Sequence, residues 1–159
     1  MKKPGAKWLW LSAAVLALDQ MSKAAASAWL MLHEPKPLLP FLNLTLMHNE
    51  GAAFSFLSEA GGWQRWFLTI VALAVSAVIL WWLLRLPPGQ KMLSAALALV
   101  LGGALGNAWD RVQLGYVVDF IDVYYERWHW PAFNVADSAI TIGAVLLIID
   151  SLRSHKRRD

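Results

Sequence analysis

The 159-residue chain contains no cysteine, which removes disulfides, thiolate nucleophiles and cysteine-based metal sites together. Charge is also scarce: Asp, Glu, Lys and Arg make up 16% of the chain, against 58% hydrophobic residues and a mean hydropathy of +0.45. Soluble domains carry roughly 25% charged and 45–50% apolar residues, so this composition fits one integral membrane domain spanning residues 1–159, with no length left for a second. The usual hydrolase signatures are missing as well. The four histidines (His33, His48, His129, His155) stand apart, no His-Glu-x-x-His occurs, and there is no Gly-x-Ser-x-Gly elbow. The net charge of +3 gathers at segment ends instead of forming a basic surface, so no nucleic-acid partner is expected.

What is present is four apolar segments, roughly Trp8–Leu32, Trp66–Leu86, Lys91–Trp109 and Val135–Leu152, close to the ~20 residues a helix needs to cross a bilayer core. "RLPPGQK" makes a tight turn between the second and third, whereas 33–65 and 110–134 are long, polar and share one side. Lys2, Lys3, Lys7, Arg85, Lys91, Arg153, Lys156, Arg157 and Arg158 flank the other side, against Lys36, Arg65, Arg111 and Arg127. Positive charge is retained in the cytoplasm, so both termini are expected there and the two long segments outside. Trp8, Trp10, Trp29, Trp66, Trp81, Trp82 and Trp109 lie near segment ends, as an interfacial belt requires. The start, "KKPGAKWLWLSAAVLALDQMSKAAASA", has the basic beginning, apolar centre and Ala-Ser-Ala end of a cleavable signal peptide. Apolar residues continue through "WLML", however, and Asp19 and Lys23 interrupt the region, which favours a retained span.

The informative residues are the polar ones inside these spans, since a charge near the bilayer centre costs about 3 kcal/mol and demands a partner, a wet cavity or a task. Asp19 and Lys23 are one helical turn apart and can pair. Asn107 shares a face with Asp110 and Arg111, and Gly102, Gly103 and Gly106 leave room for a neighbouring helix. At about 1.5 Å per residue from the cytoplasmic edge, Asp19 lies about 18 Å into a core of about 30 Å, Lys23 about 24 Å, Asp137 about 20 Å and Asp110 about 28 Å. Three helices therefore bring polar groups together in the outer half of the bilayer.

With metal and serine signatures missing, a Ser/Lys pair (Lys23 and Ser27) is weakened by the ready partner Asp19, and carboxylates remain. Two acids close together cannot both ionise easily, so one holds a proton while the other acts as base toward a shared water, and an amide can be hydrolysed without metal or covalent intermediate. Asp137 with either Asp119 or Asp122 is the candidate pair. Plainer readings exist: Asn134-x-x-Asp137 resembles a capping box, and the other two acids suit the wet edge of a loop. As a strand, "VVDFIDV" sets Asp119 on a face with Val117 and Ile121, and Asp122 with Val118 and Phe120; spacing does not choose between them.

"DQMSK" (Asp19–Lys23), "HNEGAAFSF" (His48–Phe56), "GGALGNAWDR" (Gly102–Arg111), "VVDFID" (Val117–Asp122) and "FNVADSAIT" (Phe133–Thr141) resemble, in order and spacing, the five motifs of the bacterial lipoprotein signal peptidases, signal peptidase II. The resemblance spans nearly the whole chain. It implies an aspartic endopeptidase of the bacterial inner membrane, with four transmembrane helices, that cuts the signal peptide of a prolipoprotein just before a cysteine bearing diacylglyceryl. It places the catalytic pair at Asp119 and Asp137, and gives Asp19, Lys23, Asn49, Gly51, Asn107, Asp110, Arg111, Asn134 and Ala136 substrate-binding or supporting roles. It implies no cofactor and no metal, with diacylglyceryl-modified prolipoproteins and membrane lipid as partners of a monomer.

In "PFLNLTLMHN", Leu42, Leu44 and Leu46 alternate with Asn43 and Thr45, predicting a strand in a small β platform on the periplasmic surface with its polar side wet. "NEGAAF" then predicts a turn and apolar residues dipping back over the site, and Tyr116–Trp130 a flexible cover. The alternative function is a small proton-coupled transporter using Asp19 and Asp137, which explains acids within the membrane but not two large loops on one side. A non-enzymatic assembly factor is the third reading, and it predicts that the acids are dispensable.

Overall fold

Long apolar runs free of internal proline build the helices, and the computed structural model of the protein describes residues 4–51 and 61–155. Residues 52–60, and with them Ala52–Phe54, the apolar part of "NEGAAF" expected to dip back over the site, lie outside the described residues. A 3-10 turn (Pro4–Trp8) leads into α1 (Leu9–Trp29); strands β1 (Lys36–Leu39) and β2 (Leu42–Asn49), helices α2 (Trp63–Arg85) and α3 (Lys91–Gln113), strands β3 (Val117–Tyr125) and β4 (Trp128–His129), and α4 (Val135–His155) follow. Four helices and a small antiparallel sheet are what the sequence predicts. The limits move by a turn: α1 stops at Trp29, where Leu30 turns extended, and α3 runs on to Gln113 because Asp110 and Arg111 are buried in its last turn.

Each helix shows which side it hides. The buried residues of α1 are Ser12, Val15, Asp19, Lys23 and Ala26, a single stripe at spacings of three and four, and this stripe carries the helix's only two charges. Outward-facing positions away from the helix ends are mostly apolar, among them Leu18, Phe67, Ile70, Val78, Trp81 and Ile148. Polar inside and apolar outside is the pattern of a bundle in lipid. By length and composition α2, α3 and α4 (through Arg153) are apolar enough to cross a membrane; α1 has the length, but Asp19, Gln20, Ser22 and Lys23 lower its hydropathy.

α3 is the central helix, packed against the other three. Glycine makes that possible: a Cβ on Gly106 would lie 2.6 Å from Oδ2 of Asp19, and one on Gly103 would collide with the backbone carbonyl of Ala136. The apolar core at one end of the bundle is Ile79, Leu83, Leu86, Leu97, Ala98 and Leu101. At the other end the sheet packs on α1 through Ala26, Leu46, Val118 and Phe120.

The sheet is antiparallel in the order β1-β2-β3-β4. β2 and β3 pair Asn43 with Asp122 and Leu44 with Ile121, but then Met47 with Asp119, so β2 holds one extra residue. Because side chains alternate, that one residue reverses which face the rest of β2 presents. Asn43 and Thr45 thus face Asp122, while Asn49, an even six positions beyond Asn43, faces Asp119 on the opposite side. Two expectations are corrected here. Asn43 and Thr45 are buried, not wet, because both donate to Asp122. Residues 117–125 and 128–129, expected within a flexible cover, are strands of the same sheet, since the β-branched and aromatic run "VVDFIDVYY" pairs its backbone with β2.

Candidate active site

A buried ion cluster forms the floor of the site. Lys23 Nζ lies 2.8 Å from Asp19 Oδ2, 2.8 Å from Asp110 Oδ2 and 2.9 Å from Asn107 Oδ1. The sequence predicts the Asp19–Lys23 pair; it does not show Asp110 as a second carboxylate on the same lysine. Gln20 completes the cluster by donating to Asp110 Oδ1 (2.8 Å) and Asp19 Oδ2 (3.2 Å). Its signal was present as a third polar residue beside Asp19 in an apolar helix. From this floor Asp19 Oδ1 accepts the Ala136 backbone N–H (2.9 Å), and Asp110 Oδ2 accepts that of Val118 (3.2 Å). One carboxylate fixes the start of α4 and the other the start of β3. Ala136 is fully buried against Gly106, so its small side chain sets how closely α4 approaches.

Asp119 and Asp137 stand above this floor, linked by two asparagines. Asn134 Nδ2 donates to Asp119 Oδ1 (2.7 Å) and reaches Asn107 Oδ1 (3.2 Å), while Asn107 Nδ2 donates to Asp137 Oδ1 (2.8 Å). Asp119 Oδ2 accepts a further bond from Asn49 Nδ2 (3.1 Å), and Asn49 is itself held by the Gly51 backbone N–H donating to its Oδ1 (3.0 Å). Arg111 anchors the same turn by donating from Nη2 to the Gly51 carbonyl (2.8 Å). The capping reading of Asp137 is correct as well: its backbone N–H donates to Asn134 Oδ1 (2.9 Å), and its Oδ2 accepts the Asn134 N–H (3.2 Å). Capping therefore orients a carboxyl whose other oxygen points to Asn107.

Both acids line one cavity of about 770 Å³, with Asn49, Asn107 and Arg111 on its polar side and Phe133, Ile140 and Ile142 on its apolar side. Burial, and then the neighbouring Asp137 charge, push the Asp119 carboxyl up to about 7, against the pull of its bonds from Asn49 and Asn134. His48, also on the cavity wall, stacks on Tyr116 with ring centroids 3.9 Å apart, and burial lowers its pKa. Of the residues expected in the site, all eleven are brought around this cavity or its floor. Trp130 ends the expected cover and Phe133 opens the last motif; Pro131 and Ala132, between them, join the wall in the structure alone. Among the described residues no three His, Asp or Glu side chains gather as a metal site.

Residues 11–153 match the family model described as Signal peptidase (SPase) II. The chain belongs to the signal peptidase II family. Similar proteins include the lipoprotein signal peptidase of Alteromonas mediterranea, 54% identical over 99% of this chain and 86% of that protein, and that of Acinetobacter baumannii, 58% identical over 95% and 86%. A solved structure described as a bacterial membrane enzyme, obtained by the in meso method, superposes with a TM-score of 0.86 at 30% identity over 97% of this chain and 92% of its own. As a signal peptidase II, the chain is a bacterial membrane protease of the aspartic class; its relatives give the transporter reading no support.

Proposed function

We propose that this signal peptidase II removes the signal peptide of diacylglyceryl-modified prolipoproteins by cutting before the lipidated cysteine, with Asp119 and Asp137 as the catalytic pair. The observation that carries the assignment is the chain Asp119–Asn134–Asn107–Asp137 around one cavity, which holds two carboxyls toward a common space. Asp119 keeps its proton near neutral pH and passes it to the scissile carbonyl oxygen. Asp137 takes a proton from the water that attacks the carbonyl carbon. The tetrahedral diol then collapses: Asp119 takes back a hydroxyl proton, Asp137 gives its proton to the departing nitrogen, and the pair is restored with acid and amine released.

The pH dependence follows from the acid. Activity should fall as pH rises through about 7, where Asp119 gives up its proton. The same shift weakens the fold: the folded chain binds this proton more tightly than the unfolded one, so stability declines as pH rises from 3.8 to about 7. A kcat profile in bilayers that stays flat from pH 6 to 9 would remove Asp119 as the acid.

Because Ile140 and Ile142 of the membrane-length helix α4 line the same cavity as the two acids, the lipid of the substrate acts as a positioning device that holds the scissile bond at the depth of the pair. Acylated and unacylated forms of one precursor, compared with purified enzyme in bilayers, should differ in kcat/KM by on the order of 100-fold. Equal values would reject the lipidated substrate.

Orientation follows from charge. Lys7, Arg85, Lys91 and Arg153 lie at the helix ends away from the sheet, and the retention of positive charge in the cytoplasm supports an orientation with the sheet and cavity on the periplasmic side of the inner membrane and both termini cytoplasmic. In intact cells an Arg127→Cys chain should react with an impermeant thiol reagent and a Gln90→Cys chain should not; the reverse pattern would invert the topology.

A further inference from the structure

"VVDFID" carries two aspartates, and the catalytic cavity takes one. Asp119 and Asp122 are three apart on a strand and so project to opposite faces. Asp122 is 6% exposed, and its carboxylate is fully engaged: Oδ2 accepts from Asn43 Nδ2 (3.2 Å) and Thr45 Oγ1 (3.1 Å), and Oδ1 lies 2.8 Å from His129 Nδ1. Burial alone would raise its pKa, but the bonds from His129, Asn43 and Thr45 outweigh burial and hold it below the ordinary carboxylate value. The His129 ring also stacks on Tyr124, with centroids 5.3 Å apart.

What this cluster holds is the return of the chain from the sheet to the cavity. β4 has two residues, too few to stay paired by its ladder alone. Beyond it the Trp130 N–H donates to the Val123 carbonyl (2.8 Å), and the next backbone anchor is Phe133, bonded to Ile121 in both directions. Between those anchors Pro131 has no N–H to give. Trp130, Pro131, Ala132 and Phe133 are a wall of the cavity. The Phe133 end is fixed by backbone bonds and by Asn134; the other end is held by the Trp130 backbone bond and, beside it, by the side chain of His129 on Asp122.

We infer that Asp122 and His129, supported by Asn43 and Thr45, are positioning residues that hold the 130–132 strap as a substrate-binding wall, separately from the chemistry of Asp119 and Asp137. This rests on the peptidase function proposed above. Asn134 keeps its own bonds to Asp119, Asn107 and the Val118 carbonyl, so a loosened strap should change substrate binding and spare the chemical step.

The Cys-free chain allows a direct test. A spin label on Ala132→Cys should be immobile in the otherwise unaltered protein and become mobile when His129→Leu is added. Without the label, His129→Leu and Asp122→Leu should each raise KM for an acylated precursor about tenfold, with kcat within about twofold. His129→Gln and Asp122→Asn, which keep a hydrogen-bonding partner in place, should stay near the unaltered enzyme. If Asp122→Leu does not fold, the half-exposed His129 carries the test alone. An immobile label in the His129→Leu protein, an unchanged KM, or a fall in kcat at constant KM would each overturn the proposal. Failure of the unaltered chain to cleave a lipidated precursor would instead sink the peptidase function, and the label would still read the strap.

Discussion

Asp119→Asn and Asp137→Asn should each lower kcat by about 10³-fold or more while the protein still inserts and folds, since general acid–base groups contribute roughly 10²–10⁴-fold each and the two act as one unit. Asparagine keeps the size of aspartate and one of its two acceptor oxygens: at position 119 either Asn134 or Asn49 still has an oxygen to donate to, though no longer both. What it cannot do is exchange a proton. Combining both changes should therefore cost little beyond either alone, because the second partner is useless without the first. Asp122→Asn, on the opposite face of the same strand, should keep substantial activity. The measurement is turnover of an acylated precursor by purified variants of matched thermal stability. Near-normal turnover by Asp137→Asn would end the two-acid mechanism.

Lys23→Met should destabilise the protein by about 3–5 kcal/mol, the cost of leaving a buried charge without its partner. Lys23 is almost fully buried and is the cation shared by Asp19 and Asp110, at 2.8 Å from each. Without it two carboxylates face each other at the floor of the site, and the anchors they supply to Ala136 and Val118 loosen together. Activity should fall with stability even though Lys23 does not reach the reacting atoms. Lys23→Arg should recover little, since the planar guanidinium is larger and differently shaped than the ammonium in a site of three short contacts. Thermal unfolding in bilayers decides the matter, and an unchanged Tm for Lys23→Met would show that the cluster carries no stability.

The parts of this architecture that were legible in the sequence are those that depend on spacing along one element. Apolar length gave the helices, and Asp19 and Lys23 declared themselves because any charge on that helix needs a partner one turn away. Asn134-x-x-Asp137 showed its cap for the same reason. Contacts between elements were harder to read. Lys23 meets Asp110 across 87 positions of chain, a pairing that no local pattern contains. The choice between Asp119 and Asp122 stayed open on spacing alone, because each sits on an apolar face of β3 and the partner strand decides which face meets the cavity. That decision depends on one extra residue in β2, and the alternation of "LNLTLMHN" runs straight through it. The same alternation suggested a wet polar side, since Asp122 and His129, which draw Asn43 and Thr45 inward, lie some eighty positions away.

The bond from the Ala136 amide to Asp19 joins the last helix to the first. A ribosome delivers α1 to the membrane early and α4 last, so throughout synthesis the carboxylate of Asp19 waits for an amide not yet made. Asp137 arrives on that same helix, and the turn that aims it is tied down only when α4 docks against α3 and α1. With Asp119 and Asp137 as the proposed pair, a chain whose α4 has not yet docked therefore has no assembled pair of acids.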